Sequence, residues 1–284
     1  MLVREQGILL RAFKYSETSL VLHLFLRERG MISIMAKGVR RRGSRLASVL
    51  QKFAEIEVLF YYRDTRDLHQ LRDATQLRQF SSIINDYDKF ITASVMMELL
   101  DRVHPTGGSD SELYLQLLRL LELLDGSTRH YWNYLFYLFL YHFYRLGIAF
   151  HPEKCLDCGQ APTVMRSDMI AVDLSSGGVV CSDCSPRGEV IQVPVNVIRA
   201  AEYLLTVEPE AIDRRGITTA TGRELYRLLD LYLRQHVDYY RGLKSAELLF
   251  RPTQECETNT DLEVNGKSEE GTTDGEESDG NRAG

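Results

Sequence analysis

Residues 31–51 read MISIMAKGVRRRGSRLASVLQ, and the fold turns on how this stretch divides. Met31 to Ala36 is apolar and unbroken, the pattern of a strand. Lys37, Arg40, Arg41, Arg42 and Arg45 then crowd nine residues that also hold Gly38 and Gly43, which is loop composition. Ser44 suits the N-cap of a short helix running to Gln51, with Leu46, Val49 and Leu50 on one side. Upstream, Leu2 to Phe13 and Thr18 to Leu26 read as strands separated by the break at Lys14 to Glu17, and Arg27-Glu28-Arg29-Gly30 as a turn. Leu20, Leu22, Leu24 and Leu26 alternate with Val21, His23 and Phe25. Both faces of that strand are apolar enough that one lines a core and the other packs on a further layer. Downstream, Glu55 to Tyr62 puts Ile56, Val58, Phe60 and Tyr62 on one face, and Leu68 to Ala74 supplies a fifth strand. Five short strands with a helix after the third is the order of an OB barrel.

The formal net charge of −6 over 284 residues conceals a strong asymmetry. Residues 1–80 hold fifteen Lys and Arg against eight Asp and Glu, a net +7, whereas residues 257–284 hold nine acids against two bases, a net −7. A basic loop of this density is costly in self-repulsion unless an anion neutralises it, so Lys37, Arg40, Arg41, Arg42 and Arg45 are the candidate nucleic-acid contacts. Arg adds bidentate bonds to phosphate. Phe13, Tyr15, Phe60, Tyr61 and Tyr62 are available either as base-stacking platforms or as barrel core. No base-reading motif is present, so binding should follow backbone charge more than sequence.

Beyond residue 80 the period changes to that of helices. Ser81 to Val103, the stripe Leu113, Leu117, Leu120, Leu121 and Leu124, the nearly all-apolar Tyr131 to Leu146, Val195 to Leu205, and Arg223 to Tyr240 are the expected helices. Arg241 to Ser245 is a second, smaller basic patch. No run is long enough to span a bilayer, and Arg4, Glu5 and Arg11 interrupt any secretory leader, so a cytoplasmic protein with no membrane partner is expected.

Cys155-Leu156-Asp157-Cys158 and Cys181-Ser182-Asp183-Cys184 interrupt the helices. Two Cys-x-x-Cys turns supply four soft ligands, the set for a closed tetrahedral zinc site. Val164 to Val172 is short-strand material within the intervening loop, and Ser175 to Gly178 a turn. Disulfides suit a secreted chain, a redox Cys-x-x-Cys comes singly near a βαβ unit, and a catalytic zinc keeps an open position. One structural Zn²⁺ on Cys155, Cys158, Cys181 and Cys184 is therefore expected, with Cys256 left over in the acidic tail and His151 nearby as a substitute ligand. The expected class is α+β. A five-stranded OB barrel over 1–80 precedes an α-helical domain over 81–250, with an inserted four-cysteine zinc ribbon at about 151–190 and an acidic disordered tail over 251–284. The tail reads either as a solubilising extension or as an intramolecular competitor for the basic head.

There is no phosphate loop of the P-loop kind, no His-Glu-x-x-His and no Gly-x-Ser-x-Gly elbow, so no catalytic residues are expected. The alternative of a zinc-containing RNA-binding or RNA-modifying protein would need an open metal position or a carboxylate–histidine site, and neither is evident.

Several segments in order resemble the RecO family of bacterial recombination mediators. They are Gly7 to Leu10 with Tyr15 to Ser19, Ala36 to Arg41 with Ser44 and Leu50 to Phe53, the four cysteines with Gly159, and Leu243-Lys244-Ser245. The resemblance covers Met1 to Phe250 and matches the zinc-bearing branch. It implies a nucleoid-associated DNA repair and recombination protein that is not an enzyme. Such a protein binds single- and double-stranded DNA, anneals complementary strands, and acts with RecR to load RecA onto DNA coated by single-stranded-DNA-binding protein, whose acidic tail it docks. It implies DNA contact at Lys37, Arg40, Arg41, Arg42 and Arg45 and zinc at the four cysteines.

Overall fold

The barrel begins with a strand long enough to serve two partners. In the computed structural model, which describes residues 1–161, 168–184 and 188–250, strand β1 covers Leu2–Lys14. Its first half pairs antiparallel with β4 (Glu55–Tyr61), from Leu2 opposite Tyr61 to Ile8 opposite Glu55. Its second half pairs with β2 (Leu20–Leu26), and the register shifts between Leu9 and Arg11. β3 (Gly30–Ala36) follows β2 through the tight turn at Gly30, whose φ of +66° favours glycine. The helix α1 (Arg45–Val49) comes next, then β4 and β5 (Leu68–Arg78). A parallel pairing of β3 with β5 closes the barrel in the order β1-β2-β3-β5-β4. The expected strands and the helix after the third are all present. Ser44 stands at the N-cap of α1, but its side chain makes no capping bond.

The alternation expected in β2 works as a two-sided wall. Leu22, Leu24, Leu26, Ile34, Ile56, Val58 and Phe60 fill the barrel interior with no solvent exposure. On the outer face, Ile8, Leu10, Phe25 and Phe53 belong to the core of the helices instead. Phe53 meets Phe90 edge-on at 5.3 Å, and Phe25 meets Tyr114 at 5.9 Å. Each such side chain contributes about 1.5–3 kcal/mol on burial.

The helices are α2 (Ser81–Asn85), α3 (Tyr87–Val103), α4 (Ser111–Gly126), α5 (Trp132–Arg145), α6 (Val195–Thr206) and α7 (Thr219–His236). The single helix expected over Ser81 to Val103 is two, because Asp86 turns extended and its side chain accepts from Lys89 N at 3.0 Å to cap α3. The last helix starts and ends four residues earlier than the apolar stripe suggested, with Thr218 as its cap. Asp110, at the N-cap of α4, accepts from Leu113 N and holds Arg145. α5 is buried on most sides, as its composition required. Among the described residues, no helix is long and apolar enough to cross a membrane.

Between α5 and α6 lies a three-stranded sheet in the order β7-β6-β8, from β6 (Met169–Asp173), β7 (Gly178–Val180) and β8 (Val190–Pro194). The strand expected over Val164 to Val172 begins, within the described residues, at Met169; residues 164–167, Cys256 and the acidic tail lie outside them.

Burial sets one pH response. His142 on α5 is fully buried, with its Nε2 at 3.3 Å from His104 Nδ1. Burial, followed by the neighbouring His104, lowers its pKa from 6.5 to about 3. Below the ordinary histidine range the unfolded chain therefore binds more protons than the folded one, and stability falls as pH falls. Melting temperature should drop between about pH 7 and pH 5, and His142→Phe should make that dependence shallower; thermal scans across a buffer series check it.

Candidate nucleic-acid interface and cysteine cluster

The basic loop is anchored by one apolar side chain. Val39 sits 3% exposed in the barrel core while the residues around it stand in solvent. Gly38 and Gly43, with φ of +72° and +80°, let the chain reverse on either side. Arg41 N donates to Gly38 O and Ser44 N to Arg41 O, each at 3.1 Å. Arg40 fastens the loop to the β1–β2 hairpin: its N donates to Thr18 O at 3.1 Å and its Nη1 to Glu17 O at 3.1 Å.

Lys37, Arg40, Arg41, Arg42 and Arg45 are all exposed and brought onto one loop and the helix start that follows it. Arg45 pairs with Asp73 at 2.5 Å, and this hydrogen bond holds the Asp73 carboxyl below its ordinary pKa. Among the described residues, the charged groups of Lys37, Arg41 and Arg42 have no protein partner. Exposed cations without internal partners keep their full capacity for an external anion.

Lys37 also borders a groove of about 570 Å³ that the sequence reading did not single out. Tyr61, Arg63 and Arg66 line it, and the residues after β4 carry the two arginines. The signal lay in the run Tyr61-Tyr62-Arg63 with Arg66 close behind, at a strand-to-strand loop of the barrel. Of the aromatic candidates, Phe13, Tyr15 and Tyr61 are exposed. Phe60 is fully buried in the barrel and has no face for a base. Tyr62 is half-buried, with the Arg29 guanidinium 5.2 Å from its ring and His69 at 4.7 Å on a tilted ring contact. Burial lowers the His69 pKa against the pull of Asp67 and Asp64.

The four cysteines converge. The sulfur atoms of Cys155, Cys158, Cys181 and Cys184 all lie within 4.8 Å of one another. Sulfurs about 2.3 Å from a central zinc would be roughly 3.8 Å apart in a tetrahedron, and Cys158 and Cys181 are at 3.6 Å. Gly159, with φ of +73°, turns the first knuckle. Burial acts to raise the Cys155 thiol, but backbone N–H groups of Cys158, Cys181 and Asp157 outweigh it and bring the pKa down to about 6. The cluster can hold a metal ion. His151 is exposed, with its Nδ1 3.4 Å from a Glu153 carboxylate oxygen, and lies outside the group of four.

Two family profiles match the chain, "Recombination protein O N terminal" over residues 1–80 and "Recombination protein O C terminal" over 84–246. Among similar proteins, a DNA repair protein RecO of Alkaliphilus metalliredigens is 26% identical over 239 residues, covering 84% of this chain and 95% of its own length. One of Heliobacterium modesticaldum is 30% identical, covering 83% and 84%. One of a Nocardioides species is 29% identical, covering 88% and 100%.

The loop's architecture predicts a division of roles between neighbours. Val39→Asp puts a carboxylate into the barrel core and should lower stability by several kcal/mol, whereas Arg41→Ala and Arg42→Ala should leave it within about 0.5 kcal/mol. Denaturant titration of the three variants checks this.

Proposed function

The chain belongs to the recombination protein O family of DNA repair and recombination proteins, and on that premise we propose that it is a non-catalytic DNA-binding recombination mediator. What chiefly supports the reading is the exposed loop of Lys37, Arg40, Arg41, Arg42 and Arg45, three of whose charges have no partner among the described residues. In this reading residues 1–80 are the DNA-binding module. Residues 81–250 are a helical body carrying the metal ribbon at about 151–190.

The chemistry is that of charge neutralisation. Two complementary strands repel through their phosphates, and a protein that displaces their counterions lowers that repulsion without bond-making. The loop cations contact phosphates, Arg63 and Arg66 extend the positive surface, and Tyr61 offers a face to an unstacked base. Single- and double-stranded DNA are both accepted, because the contacts read backbone charge. The protein acts in the cytoplasm at the nucleoid. RecR is its working partner, single-stranded-DNA-binding protein is engaged through its acidic tail, and RecA is loaded indirectly.

Cys155, Cys158, Cys181 and Cys184 would hold one structural zinc ion, which when bound closes the knuckles at β7 and before β6 into a single unit. Four thiolates leave no open position, so no catalytic role is assigned to it.

Wild-type protein should anneal complementary oligonucleotides without ATP, with a rate that falls steeply as salt rises. Arg40→Ala/Arg41→Ala/Arg42→Ala should lose most of that activity and reduce the slope of log affinity against log salt by about 2 for single strands. A wild-type protein that neither binds nor anneals DNA would overturn the reading. For the metal, elemental analysis should find about one zinc per chain, and Cys184→Ala should lose it together with thermal stability. A variant that stays zinc-loaded and equally stable would refute the structural role.

A further inference from the structure

Where the barrel meets the helices, four separated segments converge on a groove of about 300 Å³. β1 contributes Arg11, the loop after α1 contributes Lys52, α3 contributes Glu98, Asp101 and Arg102, and the segment after α7 contributes Lys244. The acids are already occupied. Glu98 accepts from Lys244 N at 3.0 Å, Ser245 N at 2.8 Å, Ser245 Oγ at 2.5 Å and Arg102 Nε at 2.6 Å. Asp101 meets His23 at 2.6 Å and Arg11 at 3.6 Å. The two carboxylates therefore bracket the cations and the C-terminal segment. Lys52 and Lys244 are both exposed, and among the described residues neither ammonium has a carboxylate partner. Ser94 Oγ, also in the lining, is buried without a hydrogen-bond partner.

The position of Lys52 is paid for in backbone strain. Phe53 has φ of +66°, a conformation that a bulky L-residue avoids, and its ring is locked in the core against Phe90. That geometry holds Lys52 at the rim, with Nζ 5.2 Å from the Phe90 ring centroid.

The groove also connects to the basic loop along an exposed path. Arg11 and Phe13 are both exposed on the last part of β1, with the Arg11 guanidinium 5.6 Å from the Phe13 ring centroid. β1 then leads into the hairpin whose Glu17 and Thr18 carbonyls hold Arg40. Cation, aromatic face, exposed Tyr15 and basic loop follow one another, the composition of a track for a single strand.

We propose that the groove between barrel and helices binds the phosphodiester backbone of the same nucleic-acid strand that the basic loop engages, with Lys52 and Lys244 as its phosphate contacts. The strand passes over Arg11 and Phe13 between the two. This inference rests on the reading of the loop as a DNA site.

Oligonucleotide length tests it. The full-length Lys52→Gln/Lys244→Gln variant should bind a single strand of about six nucleotides as the wild type does, since that length is served by the loop alone. For a strand of about thirty nucleotides it should lose roughly tenfold in affinity at low salt, with the salt slope shallower by about 1.4. Lys52→Arg/Lys244→Arg should keep wild-type behaviour at both lengths, and thermal melting should show all forms folded. If the long strand binds the Gln variant with unchanged affinity and slope while Arg40→Ala/Arg41→Ala/Arg42→Ala weakens it, the groove proposal fails and the loop reading stands. If neither set affects binding, the loop reading fails as well. If DNA binding is unchanged but a labelled oligoaspartate peptide loses affinity for the Gln variant, the groove serves an acidic protein segment and the proposal is overturned.

Discussion

A strand wall that is apolar on both sides is the constraint from which the rest of this structure follows. β1 and β2 must hide Leu22, Leu24 and Leu26 inside a barrel and Ile8, Leu10 and Phe25 outside it. A free barrel would expose that outer face to water, a contiguous apolar patch of the kind that soluble monomers avoid. The helices cover it, so the barrel is also one wall of the helical core. Phe53 and Phe90 interlock at that seam, and the α3–α5 layer is built outward from it.

The seam is closed by carboxylates that each serve several donors. Glu55, almost fully buried, accepts from Tyr114 Oη at 2.9 Å and meets Arg78 at 3.1 Å, tying β4 and β5 to α4. Glu98 collects the backbone of Lys244 and Ser245 onto α3, and burial, which would raise its pKa, is outweighed by those donors, so the pKa is lowered. Buried acids of this kind are tolerable only when hydrogen-bonded. Glu98 commits its acceptors to the backbone of Lys244 and Ser245 and to Arg102, so that among the described residues the Lys244 ammonium has no carboxylate partner. The positive groups of the basic loop follow a different rule. There Val39 supplies the anchor, and Lys37, Arg41 and Arg42 extend from it into solvent.

Most of the fold was legible because its signals are local. The strands of the barrel alternate with period two, the helices carry clean stripes, and the two Cys-x-x-Cys turns announce a shared centre that the sulfur positions bear out. The basic loop was legible as composition. What escaped the sequence was decided by tertiary partners. Asp86 breaks a run with continuous helical periodicity because its side chain caps the helix that follows. Phe60 and Tyr61 are adjacent aromatics with equal claim to a base, and only barrel closure assigns one to the core and the other to solvent. Arg63 and Arg66 entered the sequence reading only through the net charge, because it is the parallel β3–β5 pairing that brings them beside Lys37. Lys52 and Lys244 are far apart in the chain, and no pattern in either segment points to the other.

The divided pairing of β1 has a consequence for the order of events during synthesis. Its partner β2 emerges at once, but its other partner β4 begins at Glu55, and the β3–β5 contact that closes the barrel needs Leu68 to Gln70. A nascent chain therefore carries a three-stranded meander, apolar on both surfaces, until those residues leave the ribosome, and the outer surface stays bare until the helices arrive. Long-range pairing of this kind is slow and aggregation-prone in the interval. The arginine-rich stretch at residues 40–45 lies in that interval, so the unfinished barrel already bears a dense block of like charge beside its apolar strands, the placement that opposes strand-to-strand association in general.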